Sequence, residues 1–188
     1  MVFDSAPPPP DRSLRPSTPG PREPQSLALR TRGALILDEE PGAFLFGAFK
    51  NVSVVVWRQQ ATADALRRLG IAVSYLDKSY PQGRSTIHIV MDGAEPPTPE
   101  AEEGFIQLMK GGNIACIGVV FLGNGFWASR LRSNSTSMVL QVAKQFELRQ
   151  HGSIAELGGW LPIEHARRTG VKLSASELRD VVTAFVQG

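Results

Sequence analysis

Apolar residues in the middle of the chain alternate between strand-like and helix-like spacing. Residues 52–57 form an apolar, β-branched run with the density of a strand that is buried on both faces. Over residues 61–80 apolar side chains recur at helical spacing, with charged side chains mainly between them. Residues 85–91 then place three apolar side chains on one side of an extended segment. The pattern predicts a strand, a helix and a second strand in succession.

Two shorter apolar runs precede this unit. Residues 34–37 and 43–47 are strand candidates separated by the turn sequence Glu39–Gly42. A second turn at Lys50 and Asn51 leaves few residues between the second candidate and the run at 52–57. This spacing is typical of an antiparallel hairpin.

Alternation of helices and strands continues towards the C-terminus. Thr98, Pro99 and Glu100 have the order of an N-cap, a proline at the first helical position and an acidic first turn. Ser153 and Ser174 each begin a capping box, with glutamate three residues later. The remaining predicted elements are helices over residues 98–110 and 126–143 and from 153 and 174 onwards, and strands over 113–122 and 146–149.

An α/β fold accounts for this order of elements. Strands that are separated by helices imply right-handed parallel crossovers. We therefore predict a single mixed β-sheet that begins with an antiparallel hairpin and continues through β-α-β crossovers, with helices packed mainly on one face. The predicted core comprises Val54, Val56, Ile87, Ile89, Ile117 and Val119.

Residues 1–26 have the composition of a disordered, proline-rich tail. Eight of the 14 prolines lie here, and apolar side chains are too few to offset the entropy of ordering. Two Pro-x-x-Pro spacings suit polyproline-binding domains, but a flexible linker is the favoured interpretation. The folded α/β domain is predicted over residues 27–188.

Composition and charge limit the classes of partner. The net charge is only +2, and the basic residues do not form the dense patch that binds nucleic acid. No apolar run approaches the roughly 20 residues that cross a bilayer, and the N-terminal sequence lacks the regions of a signal peptide. We expect a cytoplasmic protein with no nucleic-acid partner and no membrane span.

Residues that commonly carry catalysis or bind metals are few and scattered. The three histidines, His88, His151 and His165, lack the i, i+4 spacing of a metal site. His88 alternates with apolar neighbours and is expected in the core or half-exposed, whereas His165 lies in a polar segment that is expected at the surface. The single cysteine, Cys116, lies in an apolar strand, where a thiol is normally inert. We expect no metal, no cofactor and no catalytic set.

A glycine-rich turn follows the strand predicted over residues 113–122, and two arginines follow about one helical turn later. This order suits an anion at a helix N-terminus, such as the phosphate of a nucleotide. The candidate anion-binding residues are Gly123, Asn124, Gly125, Arg130 and Arg132. Phe126 and Trp127 stand where a phosphate loop has lysine and a hydroxyl, which favours a tight strand-to-helix turn instead. A binder of a phosphorylated small molecule is the alternative function.

A polar segment, Ser133–Ser137, interrupts the helix predicted over residues 126–143. Ser133 and Ser135 each follow an arginine by three positions, a spacing that some kinases prefer, and a phosphate there could pair with the arginines. The competing and favoured interpretation is that small hydroxyl side chains permit close packing of this helix.

Four short strings, at residues 51–58, 95–100, 119–126 and 155–161, resemble STAS-type domains, the fold of bacterial anti-sigma-factor antagonists. They resemble more closely a group of uncharacterised STAS-like bacterial proteins, over residues 43–161 in all. The resemblance implies a small α/β domain that acts by docking to other proteins, and some members bind nucleotides. We therefore expect a non-catalytic protein-interaction or regulatory module of a bacterial cytoplasmic protein, with a protein partner or a homo-oligomer.

The resemblance also adds one candidate modification site. In the antagonists a phosphorylatable serine or threonine opens the helix after the third core strand, and Thr98 matches that position. This sequence lacks the Asp-Ser-Ser or Asp-Ser-Thr signature and has prolines on both sides of the threonine. Thr98 is therefore a candidate phosphorylation site outside the usual pattern of the family.

Overall fold

A computed structural model of the chain describes residues 33–123, 129 and 146–188. These ranges contain six strands and four helices. The strands are β1 (Ala34–Glu40), β2 (Phe44–Phe49), β3 (Val52–Trp57), β4 (Arg84–Met91), β5 (Ile114–Leu122) and β6 (Glu147–His151). The helices are α1 (Ala63–Ser79), α2 (Pro99–Gly111), α3 (Ile154–Thr169) and α4 (Ala175–Gln187).

The strands form one mixed sheet in the order β1-β2-β3-β4-β5-β6. The first three strands pair antiparallel, and β3 to β6 pair parallel. A register shift between Ile36 and Asp38 leaves Leu37 of β1 without a partner in β2. The predicted α/β class, with an antiparallel start followed by parallel strands, is confirmed.

The described helices cover both faces of the sheet. α1 and α2 pack on the face that carries Val55 and Trp57, whereas α3 and α4 pack on the face that carries Val54 and Ile87. β3, β4 and β5 follow one another in one direction across the sheet, and α1 and α2 connect them. Because such crossovers are right-handed, both helices lie on the same face of the sheet. α3 and α4 follow the last strand, so no crossover restricts them, and they bury the other apolar face. The expectation of helices mainly on one face is corrected in this respect.

Two glycines let the C-terminal helices approach the sheet closely. A Cβ atom at Gly118 of β5 would lie 2.3 Å from Cδ1 of Leu157 in α3. A Cβ atom at Gly47 of β2 would lie 2.2 Å from the ring of Phe185 in α4. Leu157 and Phe185 both belong to the buried core, so neither helix could keep its position over a larger residue.

The predicted helix starts are confirmed. The hydroxyl oxygen of Thr98 accepts a hydrogen bond of 3.2 Å from the backbone nitrogen of Ala101, and Pro99 is the first residue of α2. Ser153 and Ser174 cap α3 and α4 in the same way. These side chains satisfy backbone N–H groups that a helix leaves without partners.

Two predicted segments, the tail over residues 1–26 and the helix over 126–143, lie outside the described residues apart from Ser129. Within the described ranges, every helix is too short or too polar to cross a lipid bilayer.

Candidate functional site

A chain of polar side chains joins α3 to the sheet. Nδ1 of His165 lies 2.6 Å from the Ser85 hydroxyl oxygen, and its Nε2 lies 2.8 Å from Oδ1 of Asn51. The same hydroxyl oxygen of Ser85 lies 2.9 Å from Sγ of Cys116. The Asn51 amide donates a 2.9 Å hydrogen bond to the Gly83 carbonyl. We call Asn51, Ser85, Cys116 and His165 the buried relay.

Sheet topology brings three of these residues together. Asn51 immediately precedes β3, Ser85 is the second residue of β4 and Cys116 is the third of β5. The amino ends of the parallel strands lie side by side, and Ser85 of β4 pairs directly with Cys116 of β5. His165 reaches them from α3, which packs on β5.

The hydrogen-bond partners fix the hydrogen positions of the relay. The Asn51 amide group donates to a carbonyl, so its Oδ1 accepts from Nε2–H of His165. Nδ1 of His165 then accepts from the Ser85 hydroxyl, whose oxygen accepts from the Cys116 thiol. A neutral imidazole therefore satisfies all of these hydrogen bonds at once.

The relay is sealed inside the protein. All four residues are 0 % exposed. Burial lowers the pKa of His165 to about 4, so its imidazole is neutral at pH 7. Burial also raises the pKa of the Cys116 thiol to about 11, against the smaller, opposing effect of its hydrogen bond with Ser85. Ser85, His165 and Asn51 have the order of nucleophile, base and orienting group, but a substrate does not reach them in this conformation.

The position predicted for His165 is corrected by this burial. The neighbouring Glu164 forms ion pairs with two arginines in the next turn, and such charges suggested a surface segment. However, Leu157, Leu161 and His165 recur every four residues and form the buried stripe of α3. Continuation of that leucine spacing was the sequence signal for the burial of His165.

A second polar cluster lies on the opposite face of the sheet, also at the amino ends of the parallel strands. Nε of Arg84 donates to the Asp77 carboxylate at 2.7 Å, and its Nη1 donates to the Thr86 hydroxyl at 2.5 Å. The Ser53 hydroxyl donates to the same oxygen of Thr86 at 3.0 Å. The Arg84 guanidinium is buried and committed to these internal partners, so it does not provide a free anion site.

An apolar cavity of about 100 Å³ lies on the face covered by α1 and α2. Its described lining includes the aromatic rings of Trp57, His88 and Phe105, with Ile117 and Val119 of β5. The centroid of the Phe105 ring lies 5.7 Å from that of Trp57 and 5.4 Å from that of His88. We call this cavity the Trp57 pocket.

His88 is the one histidine of the Trp57 pocket lining. Nε1 of Trp57 donates a 3.2 Å hydrogen bond to Nδ1 of His88. Burial lowers the pKa of His88 to about 4, with a smaller contribution from the positive charge of Arg84. Half-buried and neutral, His88 has the position expected from its apolar neighbours.

His151 ends β6 and lies against Trp160, with ring centroids 5.2 Å apart. Its Nε2 atom is buried and has no hydrogen-bond partner among the described residues. Burial lowers the pKa of this imidazole, which favours the neutral form.

Gly123 is the one candidate anion-binding residue that the structure describes. A Cβ atom there would lie 2.6 Å from Oδ1 of Asp92, so a carboxylate borders the turn. A neighbouring carboxylate disfavours a phosphate on the same turn. Asn124, Gly125, Arg130 and Arg132, and the candidate phosphorylation sites Ser133 and Ser135, lie outside the described residues.

Thr98, the remaining candidate phosphorylation site, is half-buried at the start of α2. Its hydroxyl oxygen caps the helix, and its backbone nitrogen donates to the Ala61 carbonyl at 3.1 Å. Phosphorylation there would have to replace this cap, although a phosphate suits a helix N-terminus.

Three of the four large apolar residues that are exposed in the described structure lie on β1 and α1. Leu35 is 59 %, Ile71 52 % and Tyr75 65 % exposed. Leu37, Ile71 and Tyr75 line one shallow depression between β1 and α1. Leu35 pairs with Ala48, on the side of the sheet that α1 covers. We call Leu35, Leu37, Ile71 and Tyr75 the edge surface.

An ion-pair cluster borders the edge surface. Arg68 of α1 binds both oxygens of the Asp38 carboxylate, at 2.6 and 2.7 Å, and also contacts Glu40 at 3.0 Å. The guanidinium lies 4.6 Å from the centre of the Phe44 ring. The hydrogen bond from Arg68 holds the pKa of Asp38 below its usual value. The sequence did not reveal this surface, because Arg68 and Asp38 come from separate elements.

Comparisons with known proteins give little similarity. No protein-family model matches the sequence, and no curated protein matches it. One solved structure, the β subunit of geranyl-CoA carboxylase from P. aeruginosa, is similar with a TM-score of 0.41 and 11 % sequence identity. The match covers 82 % of this chain and 31 % of the carboxylase subunit, so this chain spans about a third of its length. Similarity at this level carries no argument about function.

Proposed function

We propose that this chain is a non-catalytic, STAS-like regulatory module that binds another protein through the edge surface. The concentration of exposed apolar side chains at Leu35, Ile71 and Tyr75 carries the proposal. Apolar surface that is clustered and bordered by polar groups is typical of sites of protein association.

The state of the reactive groups supports a non-catalytic role. Cys116 and His165 are fully buried, with the thiol protonated and the imidazole neutral at pH 7. An enzyme needs such groups to be within reach of a substrate and tuned towards its working pH. The relay instead satisfies its hydrogen bonds internally and ties α3 to the sheet.

We propose an extended segment of a different protein as the occupant of the edge surface. β1 is an edge strand and pairs only with β2 among the described residues. An added strand would use the backbone groups on its outer side, while apolar side chains cover Ile71 and Tyr75.

Charge favours a different protein over a second copy. Antiparallel pairing of β1 from two copies about a two-fold axis would bring the apolar half of one strand, residues 35–37, against the acidic half of the other, residues 38–40. Such pairing sets apolar side chains against carboxylates. A partner segment with apolar residues followed by a basic residue would match both halves of β1.

Photo-crosslinking in the source cells tests the proposal. A photoreactive amino acid at Tyr75 should capture a specific protein, whereas the same amino acid at Ile163 should not. Ile163 is 71 % exposed and lies on α3, on the other side of the sheet. The captured protein must then bind the purified chain directly. Equal capture at both positions, or capture of only a second copy of the chain, would refute the proposed occupant.

A further inference from the structure

We infer that the Trp57 pocket binds a compact, uncharged carbonyl compound, with His88 donating a hydrogen bond to the carbonyl oxygen. This site is separate from the edge surface and does not depend on the proposed protein partner. Three observations carry the inference: the apolar lining, the hydrogen positions on His88 and the size of the cavity.

The lining selects an uncharged, largely apolar ligand. The walls are the side chains of Trp57, Phe105 and Met109 together with β5 residues such as Ile117 and Val119. Glu95 and Gln59 are exposed and supply polar groups to the lining. A charged group placed among the apolar walls would lose its hydration without a compensating partner.

Trp57 fixes the hydrogen on His88. The indole nitrogen can only donate, so Nδ1 of His88 must accept in their 3.2 Å hydrogen bond. A neutral imidazole carries one hydrogen, which therefore lies on Nε2. No hydrogen bond joins this Nε2 to another described residue, so it is available as a donor to a ligand in the Trp57 pocket. An acceptor such as a ketone oxygen complements it.

The volume limits the ligand to a molecule smaller than benzene. The cavity measures about 100 Å³, whereas an engineered apolar cavity of about 150 Å³ takes up benzene. A four-membered ring with one carbonyl oxygen is of suitable size. Cyclobutanone and methylenecyclobutane are therefore a suitable pair of probes, because they differ mainly in the oxygen atom.

The experiment titrates both probes into the intact chain, since residues 124–145 connect β5 to β6 outside the described ranges. With ¹⁵N-labelled histidine, the Nε2–H resonance of His88 should shift with cyclobutanone and not with methylenecyclobutane. His88→Phe keeps an aromatic ring and removes the donor. This variant should weaken binding of the ketone relative to the alkene by roughly three- to tenfold, the usual worth of one hydrogen bond.

Gln59→Leu is the matched control, because the Gln59 amide is another donor in the lining. It should leave the ratio of the two dissociation constants unchanged. Absence of binding of both probes to the wild-type chain at millimolar concentration would overturn the inference. So would a ketone-to-alkene ratio that His88→Phe leaves unchanged. If His88→Phe binds neither probe, the test rests on the Nε2–H resonance of His88 in the wild-type chain. Equal shifts of that resonance with ketone and alkene would overturn the inference.

Discussion

The imidazole of His165 and the hydroxyl of Ser85 are joined by a 2.6 Å hydrogen bond across 80 residues of sequence. This contact links a C-terminal helix to the amino end of β4, in the parallel part of the sheet. It completes a hydrogen-bonded series of cysteine, serine, histidine and asparagine side chains. The series is complete in itself and has no exposed atom for a substrate.

Replacement of His165 should destabilise the fold strongly. His165→Leu leaves the Ser85 hydroxyl and Oδ1 of Asn51 buried without this partner. The expected loss in the free energy of unfolding is about 2–4 kcal/mol, measured by urea denaturation. Ile163→Ser, an exposed change in the same helix, should cost less than about 0.5 kcal/mol. Similar losses for the two variants would contradict the role given to the relay.

Stability should fall as the pH is lowered from about 6.5 to 4. His88 and His165 have folded-state pKa values of about 4, below the unfolded value of 6.5. The unfolded chain therefore binds more protons in this window, and stability rises with pH. Each histidine contributes a slope of up to about 1.4 kcal/mol per pH unit.

Urea denaturation at a series of pH values measures this slope, and His88→Phe should reduce it by up to about 1.4 kcal/mol per pH unit. The lowered pKa of Glu164, about 2, adds a separate loss of stability below its unfolded value of 4.5. A free energy of unfolding that does not change between pH 4 and 6.5 would show that the histidines are not buried as neutral groups.

The thiol of Cys116 should resist alkylation in the folded protein. Its pKa is raised from 9.0 to about 11, which alone reduces the thiolate fraction about a hundredfold at neutral pH, and burial adds to this. Iodoacetamide at pH 8 should therefore react at least about a hundred times more slowly than in 8 M urea, as followed by mass spectrometry. Comparable rates would mean that the relay opens readily, and a catalytic role for Ser85 and His165 would have to be reconsidered.

Two glycine-to-alanine substitutions should have opposite effects. Gly118→Ala places a Cβ atom 2.3 Å from Leu157 and should destabilise by about 1–3 kcal/mol through overpacking. Gly159→Ala meets no atom within 4 Å and lies within α3, so helix propensity should stabilise the fold by up to about 1 kcal/mol. Thermal unfolding of the two variants in parallel measures the difference. A stable Gly118→Ala variant would contradict the close packing of α3 on β5.

Local sequence patterns were sufficient for most elements of the fold. The β-branched run of β3 and the capping residues Thr98, Ser153 and Ser174 act within a few residues of chain, so their signals are visible in sequence. The location of α3 and α4 on the second face was not predictable in this way. They follow the last strand, so no crossover to a later strand fixes their side. The face that they cover depends on which apolar face the assembled sheet leaves exposed.

The candidate sites depend on contacts that local patterns do not contain. Asn51 and His165 are 114 residues apart in sequence, and their hydrogen bond requires both β3 and α3 to be in place. The polar neighbours of His165 also concealed its burial, although the spacing from Leu157 and Leu161 indicated it. The edge surface likewise forms only when α1 packs beside β1.

Binding of the crosslinked partner to variants of the edge surface is the decisive measurement for the proposed binding site. Calorimetric titration should compare the double variant Ile71→Ser, Tyr75→Ser with Ile163→Ser, each of which removes exposed apolar side chains. We expect at least a tenfold loss of affinity for the double variant, since central apolar residues dominate interface energies, and less than a twofold change for Ile163→Ser. Equal affinities for the two variants would contradict the assignment of the edge surface as the binding site.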